Sequence, residues 1–275
     1  MLLKEEEIIL NPAQEKMIVS GWGKEISENT EIKRIYYESD GKHVQGYLAY
    51  PAEINKKLPL IIWNRGGSMD EGRIDDFLAA GIFGEIASWG YAVLASNYRD
   101  EDEFGGKDVN DVLSLFSIAD ELNFCDSKNA GMEGWSRGGM MTYRALTMTN
   151  RVKCAVIISG LADLFRSEKN KSGLTSVYER LFGTEDEAEF IRRKKERSAV
   201  YFTDKLNKET SLLLIHGTKD EKISHEDSEE MYKLLKSAGT YCELKLIENG
   251  DHYLRKFKKE TSDLRKSWFD RFLKN

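Results

Sequence analysis

A chain of 275 residues, 40% hydrophobic and 32% charged, is long enough for one well-buried core that hides roughly 75% of its unfolded surface. Its net charge of −6 carries no long basic tract, which argues against nucleic acid as a partner. No run approaches the roughly 18 apolar residues of a membrane span, and no basic start followed by a long apolar stretch marks a secretory leader. The cytoplasm is therefore the default location.

Residues 1–30 are polar and lightly patterned, and they read as an N-terminal extension of one or two short helices. Two strands follow, Glu31–Ser39 and Gly41–Pro51, joined at the Asp40-Gly41 hairpin signal. Beyond Pro59, short apolar runs alternate with helical stretches. The runs are Leu58–Asn64, Tyr91–Asn97, Ala130–Gly134, Lys153–Ser159 and Ser211–His216, while Tyr241–Ile247 alternates and reads as nearer an edge. Helices are predicted over Phe77–Trp89, Val109–Leu122, Gly138–Thr149, Asp227–Ala238 and Lys258–Leu273. This rhythm predicts an α/β chain with a mostly parallel central sheet flanked by helices.

Residues 161–210 break the rhythm. They are charged and helix-prone, with apolar Leu174, Val177, Tyr178, Leu181 and Phe182. An insertion here would lie over the carboxyl ends of the strands, where open α/β sheets bind ligands. It reads as a helical cap, with an extended crossover helix as the plain alternative. Within it, Arg192 to Lys195 lie between Glu189 and Glu196 and read as a solvated helix face. Cys125, Cys154 and Cys242 are widely spaced and odd in number, which fits neither a disulfide framework nor a zinc site. Cys154 and Cys242 sit in strand-like runs and read as buried small hydrophobes.

Gly134-Trp135-Ser136-Arg137-Gly138 carries the chemistry. Gly-x-Ser-x-Gly between a strand and a helix is the nucleophile-elbow pattern. Its glycines keep side chains out of a crowded turn, and the Arg137 N–H would face a developing oxyanion at the positive end of the helix. A serine hydroxyl needs a base. Of four histidines, His43 lies in the early hairpin, His216 ends a strand and reads as structural, and His225 starts a helix. Only His252 follows the last strand, where this arrangement places its base. The acid falls between Ser136 and His252, and Asp220, just past the run ending at His216, fills the role. Asp163 and Asp251 are its rivals, the latter disfavoured because adjacent side chains orient each other poorly. A second oxyanion donor is expected from Asn64, Arg65 or a backbone N–H of the loop Asn64-Arg65-Gly66-Gly67. Trp135 and Arg99 are the candidate substrate contacts. Arg65, Arg99 and Arg137 together would favour an anionic substrate; alternatively Arg99 pairs with Asp108 or Asp111 and Arg137 faces outward.

Three blocks in order, Gly134-Trp135-Ser136-Arg137-Gly138-Gly139, His216-Gly217-Thr218-Lys219-Asp220-Glu221-Lys222-Ile223 and Gly250-Asp251-His252, resemble the catalytic domain of the prolyl oligopeptidase family. A fourth, Asn97-Tyr98-Arg99 followed by Gly105-Gly106-Lys107-Asp108 and Asp111, resembles the family's segment after the fourth strand. The resemblance implies an α/β-hydrolase fold over 1–275, with Ser136, Asp220 and His252 as triad and the Arg137 N–H in the oxyanion hole. Family peptidases often carry an N-terminal β-propeller, for which this chain has no room, and Asn64-Arg65-Gly66-Gly67 departs from the family's usual loop. The expected function is an acyl-enzyme hydrolase of short peptides or small esters that needs no cofactor or metal. A carboxylesterase or deacetylase without peptidase activity is the alternative, and a non-catalytic binding protein on the same scaffold is a distant one. The dienelactone hydrolase type uses a cysteine nucleophile where this elbow carries serine. A homo-oligomer is left open.

Overall fold

Nine strands form one sheet in the order β1-β2-β3-β5-β4-β6-β7-β8-β9. The structure is a computed structural model that describes residues 1–68, 71–170 and 172–274. The first strands are β1 (Leu2–Glu7), β2 (Thr30–Ser39), β3 (Lys42–Pro51), β4 (Leu58–Asn64) and β5 (Ala92–Ser96). The others are β6 (Cys125–Trp135), β7 (Val152–Ile158), β8 (Ser211–Gly217) and β9 (Cys242–Ile247). Pairing is antiparallel from β1 to β5 across β2 and β3, and parallel from β5 through β9.

The β2–β3 hairpin turns at Asp40 (φ 49°) and Gly41 (φ 72°), the pair of left-handed residues that a two-residue hairpin requires. Strands β4, β5 and β8 are buried along their whole length, because helices cover both faces of the parallel part. Alternation then sends Leu60 and Ile62 into one core layer and Ile61 and Trp63 into the other.

Before β2 come α1 (Pro12–Trp22), opened by an Asn11–Gln14 capping box, and α2 (Lys24–Asn29). The helix expected near residue 80 is α3 (Asp76–Leu78), a π-helical turn Ala79–Phe83 and α4 (Gly84–Ser88) in succession. Then follow α5 (Val109–Glu121) and α6 (Arg137–Leu146). Between β7 and β8 lie α7 (Leu164–Asn170), α8 (Ser172–Phe182) and α9 (Glu187–Arg197), and the chain continues through α10 (Glu226–Ser237) to α11 (Lys258–Leu273).

Two local expectations are corrected. The N-terminal extension is not helical throughout, because its first residues form the edge strand β1. Leu-Leu-Lys-Glu-Glu-Glu is a poor strand former; pairing with β2 holds it, with Lys33–Glu5 (3.1 Å) and Arg34–Glu6 (3.2 Å) across the ladder. The basic run in α9 is not wholly solvated. Arg192 and Arg193 pair outside with Glu189, but Lys194 is buried, its ammonium on Glu168 and 4.1 Å from the Phe165 ring centroid. All three cysteines are buried and free. Among the described residues no helix is long and apolar enough to cross a membrane.

Candidate active site

Every candidate site residue lies at or just beyond the carboxyl end of a parallel strand, the edge where such sheets collect ligands. Ser136 links β6 to α6 with φ 58° and ψ −122°, a conformation that costs a residue with a side chain about 1–3 kcal/mol. Neighbouring chain imposes it. The Ser136 N–H donates to the Ile158 carbonyl (2.9 Å), while its own carbonyl accepts from Gly139 (2.9 Å) and Leu161 (3.1 Å). The flanking glycines are sterically required. A Cβ on Gly134 would fall 2.1 Å from the Gly138 carbonyl oxygen, and one on Gly138 would fall 2.0 Å from that of Asn64. Arg137 opens α6, so its N–H has no partner within the helix.

The loops after β8 and β9 are laced together. Lys219 N–H donates to the Gly250 carbonyl (2.8 Å) and Asn249 N–H to Thr218 Oγ1 (2.9 Å). This sets His252 Nδ1 at 2.7 Å from Asp220 Oδ2, with both side chains buried. Asp220 Oδ1 accepts from the Lys222 and Ile223 N–H groups at 2.7 and 2.9 Å. Burial pushes the Asp220 carboxyl up, but hydrogen bonds from His216, His252 and the Ile223 N–H outweigh it and hold the group well below the usual carboxylate range. Of its rivals, Asp163 accepts the Phe165 N–H at the start of α7 (2.9 Å) and Asp251 is exposed.

His216 was expected to be structural, and the structure puts it on the acid. Its Nε2 lies 3.1 Å from both Asp220 Oδ2 and the Ile223 carbonyl, and its Nδ1 lies 2.7 Å from Ser228 Oγ. A carbonyl only accepts, so Nε2 carries the proton and Nδ1 takes the serine hydroxyl's. The signal in the sequence was the spacing His216-x-x-x-Asp220, which turns both side chains back onto each other across the strand end.

The arginine assignments and Asn64 are corrected. Asn64 is fully buried and its amide donates to Thr142 Oγ1 (2.8 Å), so its side chain points into the core under α6 rather than toward Ser136. Arg65 is also buried. Its Nε donates to the Asn97 carbonyl and its Nη1 to the carbonyls of Gly66 and Glu71, with the guanidinium 4.8 Å from the Tyr98 ring centroid. Arg99 grips Asp111 (2.6 Å) and Asp40 (3.0 Å), which removes it from substrate contact and matches the alternative of an ion pair with Asp111.

The Arg137 side chain does not face outward. It is buried between Tyr98 and Phe104, holds Asp102 (2.6 Å) and Asp108 (2.7 Å), and donates to the Gly67 carbonyl (3.0 Å). Burial opposes its charge, and the two carboxylates restore and raise its affinity for the proton. No arginine of the three is left to select an anion.

Trp135 does stand at the site. Its indole N–H donates to the His252 carbonyl (3.1 Å), bracing the histidine loop against the elbow. Gly66 packs closest to the serine, where an added Cβ would meet Ser136 Cβ at 3.2 Å. Ser136, His252, Gly66, Gly67 and Trp135 all border one cavity of about 1360 Å³, and Leu161, Leu174 and Val177 of the 161–210 insertion wall one side of it.

A mostly parallel sheet covered by helices, with a serine elbow after a central strand and a histidine–aspartate pair after the last strands, defines the α/β-hydrolase fold. The family model described as the prolyl oligopeptidase family matches residues 85–275, and the chain belongs to that family. Similar proteins include the uncharacterized peptidase YuxL of Bacillus subtilis, 28% identical over 94% of this chain and 42% of that protein. The uncharacterized peptidase YtmA of the same organism is 27% identical over 82% of this chain and 88% of its own length. Among solved structures, Pyrococcus horikoshii acylaminoacyl peptidase shares the fold with a TM-score of 0.77 and 20% identity, over 90% of this chain and 43% of that one. The chain thus spans less than half of YuxL and of that archaeal peptidase.

Proposed function

We propose that the protein is a serine hydrolase that cleaves short peptides or small esters through an acyl-enzyme on Ser136. The observation that carries this is the 2.7 Å contact between Asp220 and His252 Nδ1 beside a left-handed serine on the same cavity. With Nδ1 committed to Asp220, Nε2 is the nitrogen left to serve Ser136. His252 takes the Ser136 proton as Oγ attacks the substrate carbonyl carbon, and the C=O pair collects on oxygen. His252 then gives that proton to the departing amine or alcohol as its bond to carbon breaks. Water, deprotonated by His252, attacks the Ser136 ester; collapse of the intermediate frees the acid and returns the proton to Oγ. Asp220 keeps the imidazole in the right tautomer and stabilises its positive form.

The oxyanion would be met by the Arg137 N–H and one N–H of Gly66 or Gly67. Here the corrected arginines have a positioning role. Arg65 holds the Gly66 carbonyl and Arg137 the Gly67 carbonyl. In a planar trans peptide, fixing the Gly66 carbonyl fixes the Gly67 N–H in the opposite direction. The peptidase side of the reading is supported by the family, and the ester side by the accessible apolar cavity. A series of para-nitrophenyl esters and short peptide para-nitroanilides separates them. Turnover of both, abolished in Ser136→Ala, is expected; release from esters alone removes the peptidase part, and turnover that survives Ser136→Ala contradicts the whole.

A further inference from the structure

The cavity that Ser136 borders is lined from both core layers, and each set of walls counts as one arm of it. One runs beneath the 161–210 insertion along Phe104, Leu161, Leu174 and Val177, and it belongs to the core layer that contains α5 and α6. The other is bordered by Trp22, Trp63, Phe77, Leu78, Ile82 and Trp135. Its walls continue the second core layer, between the sheet, α4 and α11. Ser136 borders the same cavity as both sets of walls. The acid–base machinery uses nothing in the second arm beyond Trp135.

Trp22, the last residue of α1, closes that arm and is held from three sides. It lies on Gly81, where even a Cβ would come within 2.6 Å of the indole. Phe77 meets it edge-on, with ring centroids 6.1 Å apart. The Lys258 ammonium stands 3.8 Å from its centroid. The charged groups at the base of the arm satisfy one another. Glu133 accepts from Trp63 Nε1 (2.9 Å) and from Arg265 (2.9 and 2.7 Å), and Arg265 reaches Glu85 (3.0 Å). Two carboxylates share the Arg265 guanidinium and Lys258 is drawn onto the Trp22 ring, while Lys16 and Arg255 also border the cavity. The six aromatic and aliphatic side chains of this arm offer a ligand apolar surface.

We propose that this second arm is a substrate subsite for a bulky neutral apolar group, an aryl or medium-chain alkyl substituent on one side of the scissile bond. The proposal rests on the reading of Ser136 as nucleophile. The cavity volume of about 1360 Å³ exceeds the roughly 300–1,000 Å³ of most small-molecule sites, as expected if substrate extends both ways from the serine. The N-terminal helix α1 would then take part in choosing substrate through Trp22.

Two variants test it. Ile82→Trp fills the arm, and Trp22→Ala removes the partly buried indole from its wall. Each should lower the ratio of kcat/KM for para-nitrophenyl octanoate over acetate, Ile82→Trp by about tenfold or more. Ser136→Ala should also bind the neutral fluorophore N-phenyl-1-naphthylamine saturably, and the double variant with Ile82→Trp should not. A ratio within about twofold of the parent in both variants, or dye binding that ignores Ile82→Trp, overturns the subsite. Failure of the parent to cleave any ester or peptide would remove the nucleophile reading alone, and the dye titration would still decide the arm.

Discussion

The loops after β8 and β9 and the loops after β4 and β5 meet at one serine, yet they are built on opposite plans. In the first pair, short side chains do the work within a few residues of a strand end: Asp220 reaches His252 and His216 directly. Around the second pair, long guanidinium groups, Arg65 from the loop after β4 and Arg137 from the start of α6, hold carbonyls and carboxylates of distant segments. Arg137 reaches Asp102, Asp108 and Gly67, and Arg65 reaches Asn97. The acid–base side places the reacting groups. The arginine side holds the backbone around them.

The largest effect should come from the acid–base side. Asp220→Asn keeps the shape but favours the wrong histidine tautomer, so kcat should fall by about 10⁴-fold with the circular dichroism spectrum unchanged. A loss of less than tenfold would mean another carboxylate orients His252. On the arginine side the cost should appear first as stability. Arg137→Met takes the guanidinium away from the buried carboxylates of Asp102 and Asp108, and urea titration should show a loss of about 3–5 kcal/mol. A midpoint equal to the parent's would show that the network does not brace the elbow.

The smallest effect joins the two plans. His216→Leu removes one of the hydrogen bonds that hold the Asp220 carboxyl low, and kcat/KM should fall roughly tenfold, the worth of one hydrogen bond to a charged group. His216→Gln, which keeps a donor at the Nε2 position, should recover part of it. The sign of the pH effect follows from the depressed folded value. Stability from ionised Asp220 is complete above the usual carboxylate range near ~4 and is lost as pH falls through the lower folded value. His216→Leu should move the acid limb of stability and activity to higher pH, and an unmoved limb would assign His216 to packing alone.

The same contrast explains what was legible in the sequence. Buried parallel strands leave continuous apolar runs, and a strained serine turn leaves its two glycines, so the sheet and Ser136 could be read directly. Asp220 and His252 were legible because each follows a strand run and has a short reach. The Arg99–Asp111 pair was among the readings of the sequence, but Arg65 and Arg137 were not legible, because a guanidinium can find its partner anywhere within several ångströms and Asp102 and Asp108 approach through a folded loop. Asn64 failed for a related reason. The alternation of β4 turns it toward α6, where Thr142 takes its amide, and only the position of α6 shows this. Trp22 was illegible because α1 meets the cavity only through tertiary packing on Gly81.

The central claim is that Ser136 carries the acyl group, served by His252 and Asp220. Rapid mixing with para-nitrophenyl acetate, quenched into acid and followed by peptide mass spectrometry, tests it most directly. The account predicts a burst of nitrophenol approaching one equivalent per chain and an acetyl group on the peptide containing Ser136. Asp220→Asn should slow the burst without changing the labelled residue. Steady turnover with no acetyl group on Ser136, or with the acetyl group on another residue, would contradict it.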